Sequence, residues 1–546
     1  MKITFVANGW EQLGISLLSA IAKAHGHEVS LAFSVSLFND RFHLTYQPLA
    51  DFFDDTKYVL QAIEKQCPDV IAFSPVTGTY QWMVYVAEQA KKMFPHAKII
   101  FGGVHTTAVP ERVLSRPFID YVCVGEADIA FPMILDAIKD GGTHRPIPNT
   151  RYKLSDGSVV RGPQMGFIQN LDSLPIFDKT LWEDYMQFKE SYITMGSRGC
   201  PYRCIFCFNN FFAKLPENNR PGRYVRYRSV AHLMNELKIA KKRYGFKLIE
   251  FFDDVFTLNK RWLKDFLNEY KREINVPFQI FTHIKFIDEE VVRWLADAGC
   301  RSAQIGIQSM DDRYKREVLH RNETTEDIEK ALRIMKKYKV LAKFDHMFGL
   351  PEEPIEAQET AFRFYLRRRP YRVQTYWANF YPGTEMFKRA IETGLISRED
   401  AEKIYEGEGL DSFTRHNSFI DPKKVPVYKG YEAIFKLMVG LPVFLSRRIN
   451  PKFFTRLPII INSFITLISD ITIGFLRLDI DHFCYAKYYL YHIYRFFLLK
   501  IGVKPPPATR VKVDEPFIFK VSYRISQEYS NDSKLNIKED IQKITA

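Results

Sequence analysis

The chain of 546 residues is 46% hydrophobic and 26% charged, which excludes a disordered or fibrous polymer. Its seven cysteines, Cys67, Cys123, Cys200, Cys204, Cys207, Cys300 and Cys484, are odd in number, which excludes a disulfide framework. A net charge of +13 favours an anionic partner or surface.

The chain opens on Lys2–Ala7, an apolar run that reads as a buried strand. It is too short for a secretory apolar region, so a cytoplasmic, reducing location is expected. Helical stretches Gly14–His25, Thr56–Gln66, Gln81–Phe94 and Val109–Ser115 then alternate with strands His27–Ala32, Val70–Phe73, Lys98–Phe101 and Tyr121–Val124. This alternation predicts parallel βαβ units in a doubly wound, Rossmann-like α/β domain over residues 1–145. Ligands of such sheets sit beyond the carboxyl ends of the strands. Those ends include Ser74-Pro75-Val76-Thr77, Gly102-Gly103-Val104-His105 and Gly125-Glu126, small and polar residues that let a backbone approach a ligand closely.

Residues 146–190, interrupted by Pro146, Pro148, Pro163 and Pro175, read as a linker. Over 191–390 a second series follows, with strands Tyr192–Met195, Leu248–Phe252, Gln279–Phe281, Ser302–Ile307, Phe344–Phe348 and Gln374–Asn379. Such βα repeats, all running one way, predict an open, partial (β/α)6 barrel around a cavity. Its first strand leads into Gly199-Cys200-Pro201-Tyr202-Arg203-Cys204-Ile205-Phe206-Cys207, a C-x3-C-x2-C spacing. Three thiolates on one short loop suit an iron–sulfur cluster with one iron left open. Zinc is the rival, but zinc sites commonly pair two Cys-x2-Cys knuckles or add histidines. The next cysteine is Cys300, which reads as a small buried apolar residue.

Further motifs follow the trio in order. They are Glu250-Phe251-Phe252-Asp253-Asp254-Val255-Phe256-Thr257, Ala298-Gly299-Cys300-Arg301 leading to Gly306-Ile307-Gln308-Ser309, Phe348-Gly349-Leu350-Pro351, and Tyr381-Pro382-Gly383-Thr384-Glu385. Together they resemble the radical S-adenosylmethionine superfamily in its cobalamin-linked branch. The resemblance implies a 4Fe–4S cluster on Cys200, Cys204 and Cys207. The open iron would take the amino and carboxyl groups of S-adenosylmethionine. The Phe206 backbone would meet adenine. Asp253 or Asp254 would accept from the methionine ammonium or organise the barrel mouth. Gln308, where relatives carry Glu, would bond ribose hydroxyls.

The stretches Gly102–Thr106 and Val124–Glu126 resemble the cobalamin-binding domain that often precedes such a barrel. Ser74, Thr77, Gly102, Gly103, His105, Gly125 and Glu126 are therefore expected at cobalamin, with His105 near the corrin or nucleotide tail. Many cobalamin proteins carry D-x-H-x-x-G after the first strand. Here Gly9-Trp10-Glu11-Gln12-Leu13-Gly14 keeps only the final glycine. That departure implies cobalamin without a histidine ligand, with Trp10 or Glu11 as candidates to cover its lower face.

From about residue 425 long aromatic, basic helical runs replace the alternation, and residues 391–510 are expected to form a helical cap over the barrel mouth. Leu457–Leu476 has the length of a membrane span, but Asp470 within it is costly in lipid. A peripheral amphipathic face with basic anchors, on the inner face of the membrane, is a further reading. Residues 511–546 form a polar tail. The resemblance implies methylation of an unactivated carbon of an apolar small molecule, through a 5′-deoxyadenosyl radical and methylcobalamin. It also implies a flavodoxin- or ferredoxin-type electron donor. The alternative is a cobalamin-dependent oxidative cyclase or rearrangement enzyme acting on a tetrapyrrole-type substrate. No nucleic-acid partner is expected: relatives acting on RNA carry a second cysteine trio, which Cys67 and Cys123 cannot make.

Overall fold

Five short apolar strands pair in parallel at the start of the computed structural model, which describes residues 1–40, 44–142, 145–215, 222–408, 420–477, 479–511 and 517. They are β1 (Lys2–Asn8), β2 (Glu28–Ser34), β3 (Val70–Phe73), β4 (Lys98–Phe101) and β5 (Tyr121–Cys123), in the order β2-β1-β3-β4-β5. Helices α1 (Leu13–Ala24) and α2 (Tyr80–Met93) turn apolar faces onto this sheet. The winding reverses between β1 and β3, and the crevice at their carboxyl ends is where a doubly wound sheet takes its ligand.

The sheet does not stop at residue 145. Strands β6 (Thr150–Lys153) and β7 (Val159–Arg161) add to it as an antiparallel hairpin, with Tyr152 opposite Tyr121. This corrects the linker reading of 146–190. Thr150 and Tyr152 point inward while Arg151 and Lys153 point out, an alternation of a strand with one buried face that the surrounding prolines obscure.

The second sheet holds β8 (Tyr192–Thr194), β11 (Ile249–Phe251), β12 (Phe278–Thr282), β13 (Cys300–Gln308), β14 (Leu341–Phe348) and β15 (Arg372–Trp377). Its order follows the chain, all parallel, so β8 and β15 stay as open edges of a partial barrel. A two-residue ribbon, β9 (Ser197–Arg198) against β10 (Arg226–Tyr227), stands apart from it.

Four helices matter beyond the barrel: α3 (Arg398–Tyr405), α4 (Val425–Gly440), α5 (Ile459–Leu476) and α6 (Ile480–Lys500). Helix α4 packs on β15 and on α5. Near the start of α6, Asp481 pairs with Lys343 and accepts from Gln279 at 2.5 Å, at the amino ends of β14 and β12. These helices therefore close the barrel's edge and base, where the expectation put a cap over the mouth. The buried Lys343 ammonium requires a counter-charge, and Asp481 brings α6 there to supply it. Further along α6, Tyr488 donates to the Gly9 carbonyl at 2.7 Å and its ring lies 4.3 Å from Trp10. The expected polar tail lies outside the described residues except for Val511 and Phe517.

Candidate active site

The cysteine loop leaves the carboxyl end of β8 and is fastened from below. The buried Asp253 carboxylate accepts from the Gly196 amide at 3.0 and 3.1 Å and from the Ser197 hydroxyl at 2.5 Å. Burial pushes its pKa up to about 6, opposed by those same bonds. Gly199 adopts φ +89°, and a Cβ there would stand 2.4 Å from the Tyr224 carbonyl oxygen, so only glycine lets the loop return against the ribbon. From above, the Met386 amide donates to the Ile205 carbonyl at 3.0 Å and Asn210 donates to Glu385 at 3.2 Å. The Tyr381–Glu385 motif thus grips the cysteine loop. Asp254 accepts from Asn209 at 2.8 Å beside the loop.

Cys204 is buried, and Cys200 and Cys207 are half-buried. Burial pushes the Cys200 thiol up to about 12 and Cys207 up to about 11. Burial raises Cys204 as well, opposed by Arg321, whose Nη1 lies 3.6 Å from its sulfur. Arg321 is held by the Gly306 carbonyl at 2.7 Å and by Glu323 at 2.6 Å. Against burial, His283 and Arg321 hold the Glu323 carboxyl at about 2. The Tyr202 ring stacks on His283 at 4.0 Å. Among the described residues no three side chains converge on one ion, as zinc would need. A cluster asks for one thiolate per iron around a larger body, and the loop fits that demand. Ligation would deprotonate all three thiols. Phe206, between two of them, is half-buried in a small apolar cluster with Ile205, Leu350 and Phe387. Gln308 ends β13 at φ +65°, its side chain folded over Gly306 beside Arg321.

The carboxyl edge of the first sheet lies against this ribbon. Both Glu126 oxygens accept from Arg226, at 2.7 and 2.9 Å. Arg198 bridges Glu126 at 3.1 Å and Asp128 at 2.7 Å. Glu126 is therefore a clamp between the two units. Gly125 donates its amide to Thr107 at 3.1 Å. Gly103, capped by Gly102, sits at φ +78°, where a Cβ would meet Ser74 Oγ at 2.8 Å. The Thr77 hydroxyl and His105 Nδ1 lie 3.2 Å apart. Burial pushes His105 down to about 4, leaving a neutral ring 4.2 Å from Tyr80. Asn8 Oδ1 and Thr106 Oγ1 are buried without a partner at this edge. Unpartnered buried polar atoms beside close-set glycines fit a bulky, amide-rich ligand such as cobalamin. Glu11 is buried in an ion pair with Lys179, and Trp10 packs on Tyr488. The Glu11 side chain, committed to Lys179, is not free to cover a corrin, while the Trp10 ring is half-buried beside Tyr488.

Inside the barrel, Gln304 donates to Asp345 at 2.9 Å and lies 3.4 Å from the Tyr376 hydroxyl. Burial pushes Asp345 up to about 7. Phe252 and Phe281 pair at 5.1 Å on another wall. The sequence reading gave Asp128 a place at a strand end without its partner Arg198, and missed Arg321, Glu323, His283, Arg226 and the Gln304–Asp345 pair. Only position marked the last: Gln304 and Asp345 alternate with apolar neighbours on strands already identified.

Comparison with known proteins agrees with this geometry. A radical SAM superfamily model matches residues 195–364 and a B12-binding domain model matches residues 3–135. An uncharacterized methyltransferase of Pyrococcus horikoshii is 29% identical over 343 residues, covering 62% of this chain and 72% of its own. The anaerobic magnesium-protoporphyrin IX monomethyl ester cyclase of Rubrivivax gelatinosus is 23% identical over 373 residues, covering 66% of this chain and 62% of its own. The solved structure of the cobalamin-dependent S-adenosylmethionine radical enzyme OxsB, with aqua-cobalamin and S-adenosylmethionine bound, shares the fold. Its TM-score is 0.60 at 16% identity, over 92% of this chain and 75% of its own. With a cysteine loop fit for a cluster, a first sheet fit for cobalamin and both family models matched in order, the chain belongs to the cobalamin-binding radical S-adenosylmethionine enzymes, whose cofactors are a 4Fe–4S cluster, S-adenosylmethionine and cobalamin.

Proposed function

We propose that the protein transfers a methyl group from S-adenosylmethionine to an unactivated carbon of an apolar small molecule. The observation that carries this reading is the clamp of Glu126 and Asp128 on Arg226 and Arg198, which sets the edge of the cobalamin domain against the cluster loop. Both cofactors would then face each other across that joint. When bound, the cluster supplies one-electron cleavage of S-adenosylmethionine and cobalamin supplies methyl carriage. The chain's own residues align and shield. Asp253 and the Tyr381–Glu385 segment hold the cysteine loop rigid. Arg321 balances charge at Cys204. The Phe252–Phe281 pair offers an apolar wall to the substrate body, and Asp345, which burial raises to about 7, offers a polar group that carries its proton about half the time near neutrality.

The other four cysteines are scattered, so the electron comes from a separate protein of flavodoxin or ferredoxin type. A reducing cytoplasm suits thiols that must stay free for iron.

The test is anaerobic reconstitution with iron, sulfide and hydroxocobalamin, then reduction with methyl-labelled S-adenosylmethionine and candidate apolar acceptors. Labelled product with both 5′-deoxyadenosine and S-adenosylhomocysteine is expected. A second reading, oxidative cyclisation of a tetrapyrrole-type substrate, is favoured by the likeness to the Rubrivivax cyclase. Deoxyadenosine without S-adenosylhomocysteine or label transfer would support it instead.

A further inference from the structure

Helix α5 is built inside out. Its buried positions are Asn462, Thr466, Ser469 and Gly474. On the same inner side Asp470 bonds Lys436 of α4 at 3.0 Å and Arg372 of β15 at 2.7 Å. Its outer side carries Ile460 (65% exposed), Phe464 (58%), Ile468 (60%), Ile471 (47%) and Phe475 (49%). Spacings of four, four, three and four residues put these five on one stripe of the helix. A helix at a water-facing surface turns its apolar stripe inward. Here the polar side is already used, by ion pairs to the barrel's edge, and the apolar side has been left out.

The stripe does not stand alone. In the turn that leads from α4 to α5, Val443, Phe444, Leu445 and Phe453 are exposed too. Exposed cations intervene: Arg447, Arg448, Lys452 and Arg456. Between Leu441 and Arg477 the sole acid is Asp470, already committed to Lys436 and Arg372. Within this segment the surface is thus apolar with exposed cations and no free acid.

We propose that this face seats in the headgroup–acyl boundary of an anionic phospholipid bilayer, making the enzyme monotopic. Lipid supplies both halves of the match, acyl chains for the stripe and negative headgroups for the cations. A span is excluded by the inner side of α5, whose ion pairs bind it to the barrel. A second copy of this chain would bring the same four cations to the contact, with no acid there to meet them. The proposal does not rest on the methyl-transfer reading; it concerns where the enzyme works, whatever it makes.

The experiment is flotation of the full-length protein with vesicles of phosphatidylcholine, with and without phosphatidylglycerol, at low and high salt. The protein should float with the anionic vesicles and much less with the neutral ones or in high salt. The pair Phe464→Glu and Ile468→Glu should lower partitioning by at least about tenfold, with an unchanged circular-dichroism melt because both residues are exposed. Each of Arg447→Gln and Arg448→Gln should weaken it about fivefold, the equivalent of about 1 kcal/mol per charge. As an independent reading, a Phe464→Trp protein should lose fluorescence to brominated acyl chains. Failure to float with either vesicle, or an indole at that position left unquenched, overturns the proposal. So does a dimer that Ile468→Glu converts to monomer while flotation is unchanged, which would assign the face to a second copy.

Discussion

Arg321 brings a positive charge within 3.6 Å of the Cys204 sulfur, one of the three proposed to hold the cluster, in a buried setting. A fixed cation there stabilises the added electron of the reduced cluster. Replacing it with glutamine should make the cluster harder to reduce, by on the order of 100 mV. Redox titration followed by electron paramagnetic resonance reads this directly, and an unshifted potential would sink the role. Cys204→Ala removes one of the three proposed iron ligands, so the protein should show no cluster absorption and form no 5′-deoxyadenosine. Asp345 acts in the other direction, on stability. Its carboxyl is raised from an ordinary 3.8 to about 7, so from about pH 4 to 7 the folded chain keeps a proton that the unfolded chain has lost. That stability is whole below pH 4 and drains as pH rises, by at most about 1.4 kcal/mol per pH unit. Glu353, raised to about 8, extends the loss to pH 8. Glu323, held at about 2, contributes stability above 4.5 that goes only in stronger acid. Buried histidines work the opposite way below about pH 6.5: burial holds His105 and His346 at about 4, so the unfolded chain binds their protons first. Thermal midpoints should therefore fall chiefly between about pH 6.5 and 8, and Asp345→Asn should flatten the start of that slope.

At the scale of elements, the ribbon β9–β10 is the joint between the two sheets. Arg226 is almost fully buried and Glu126 nearly so, and removing one partner of such a pair costs about 3–5 kcal/mol. Glu126→Gln should lower the melting temperature and shed cobalamin on gel filtration, while iron content stays near that of the parent. Loss of both cofactors together would mean general unfolding instead. The barrel strands and the first five strands were legible because each is a continuous apolar run broken by helical periods. The cysteine loop was legible because its ligands are adjacent in sequence. The hairpin β6–β7 was hidden by prolines around it. The pairings of Arg226 with Glu126, Arg321 with Cys204 and Arg198 with Asp128 were hidden for a different reason: the partners come from distant segments, and no spacing announces a pair that only folding brings together.

For the molecule as a whole, the C-terminal helices were legible as helices but not by position. Aromatic richness suggested a roof for the mouth. The deciding interaction was Asp481 with Lys343, a single pair at the barrel's base. Ending the chain before α6 should leave Lys343 buried without a counter-charge and lower the thermal midpoint. Lys343→Met in that shortened chain should restore part of the loss. No recovery would mean that α6 stabilises through its aromatic contacts alone. Helix α6 also reaches the cobalamin domain, where Tyr489 and Phe496 meet Phe38 and Phe53 at 5.7 and 5.0 Å.

The bond from Tyr488 to Gly9 joins residues 479 positions apart. On the ribosome, at roughly 5–20 residues per second, the last strand of the first sheet, ending at Arg161, emerges about a quarter of a minute to a minute before the helix that covers its first loop. During that interval the nascent chain presents a folded sheet whose β1 loop is still open to the cell. A ligand that enters then meets the β1 loop before Tyr488 has packed over it.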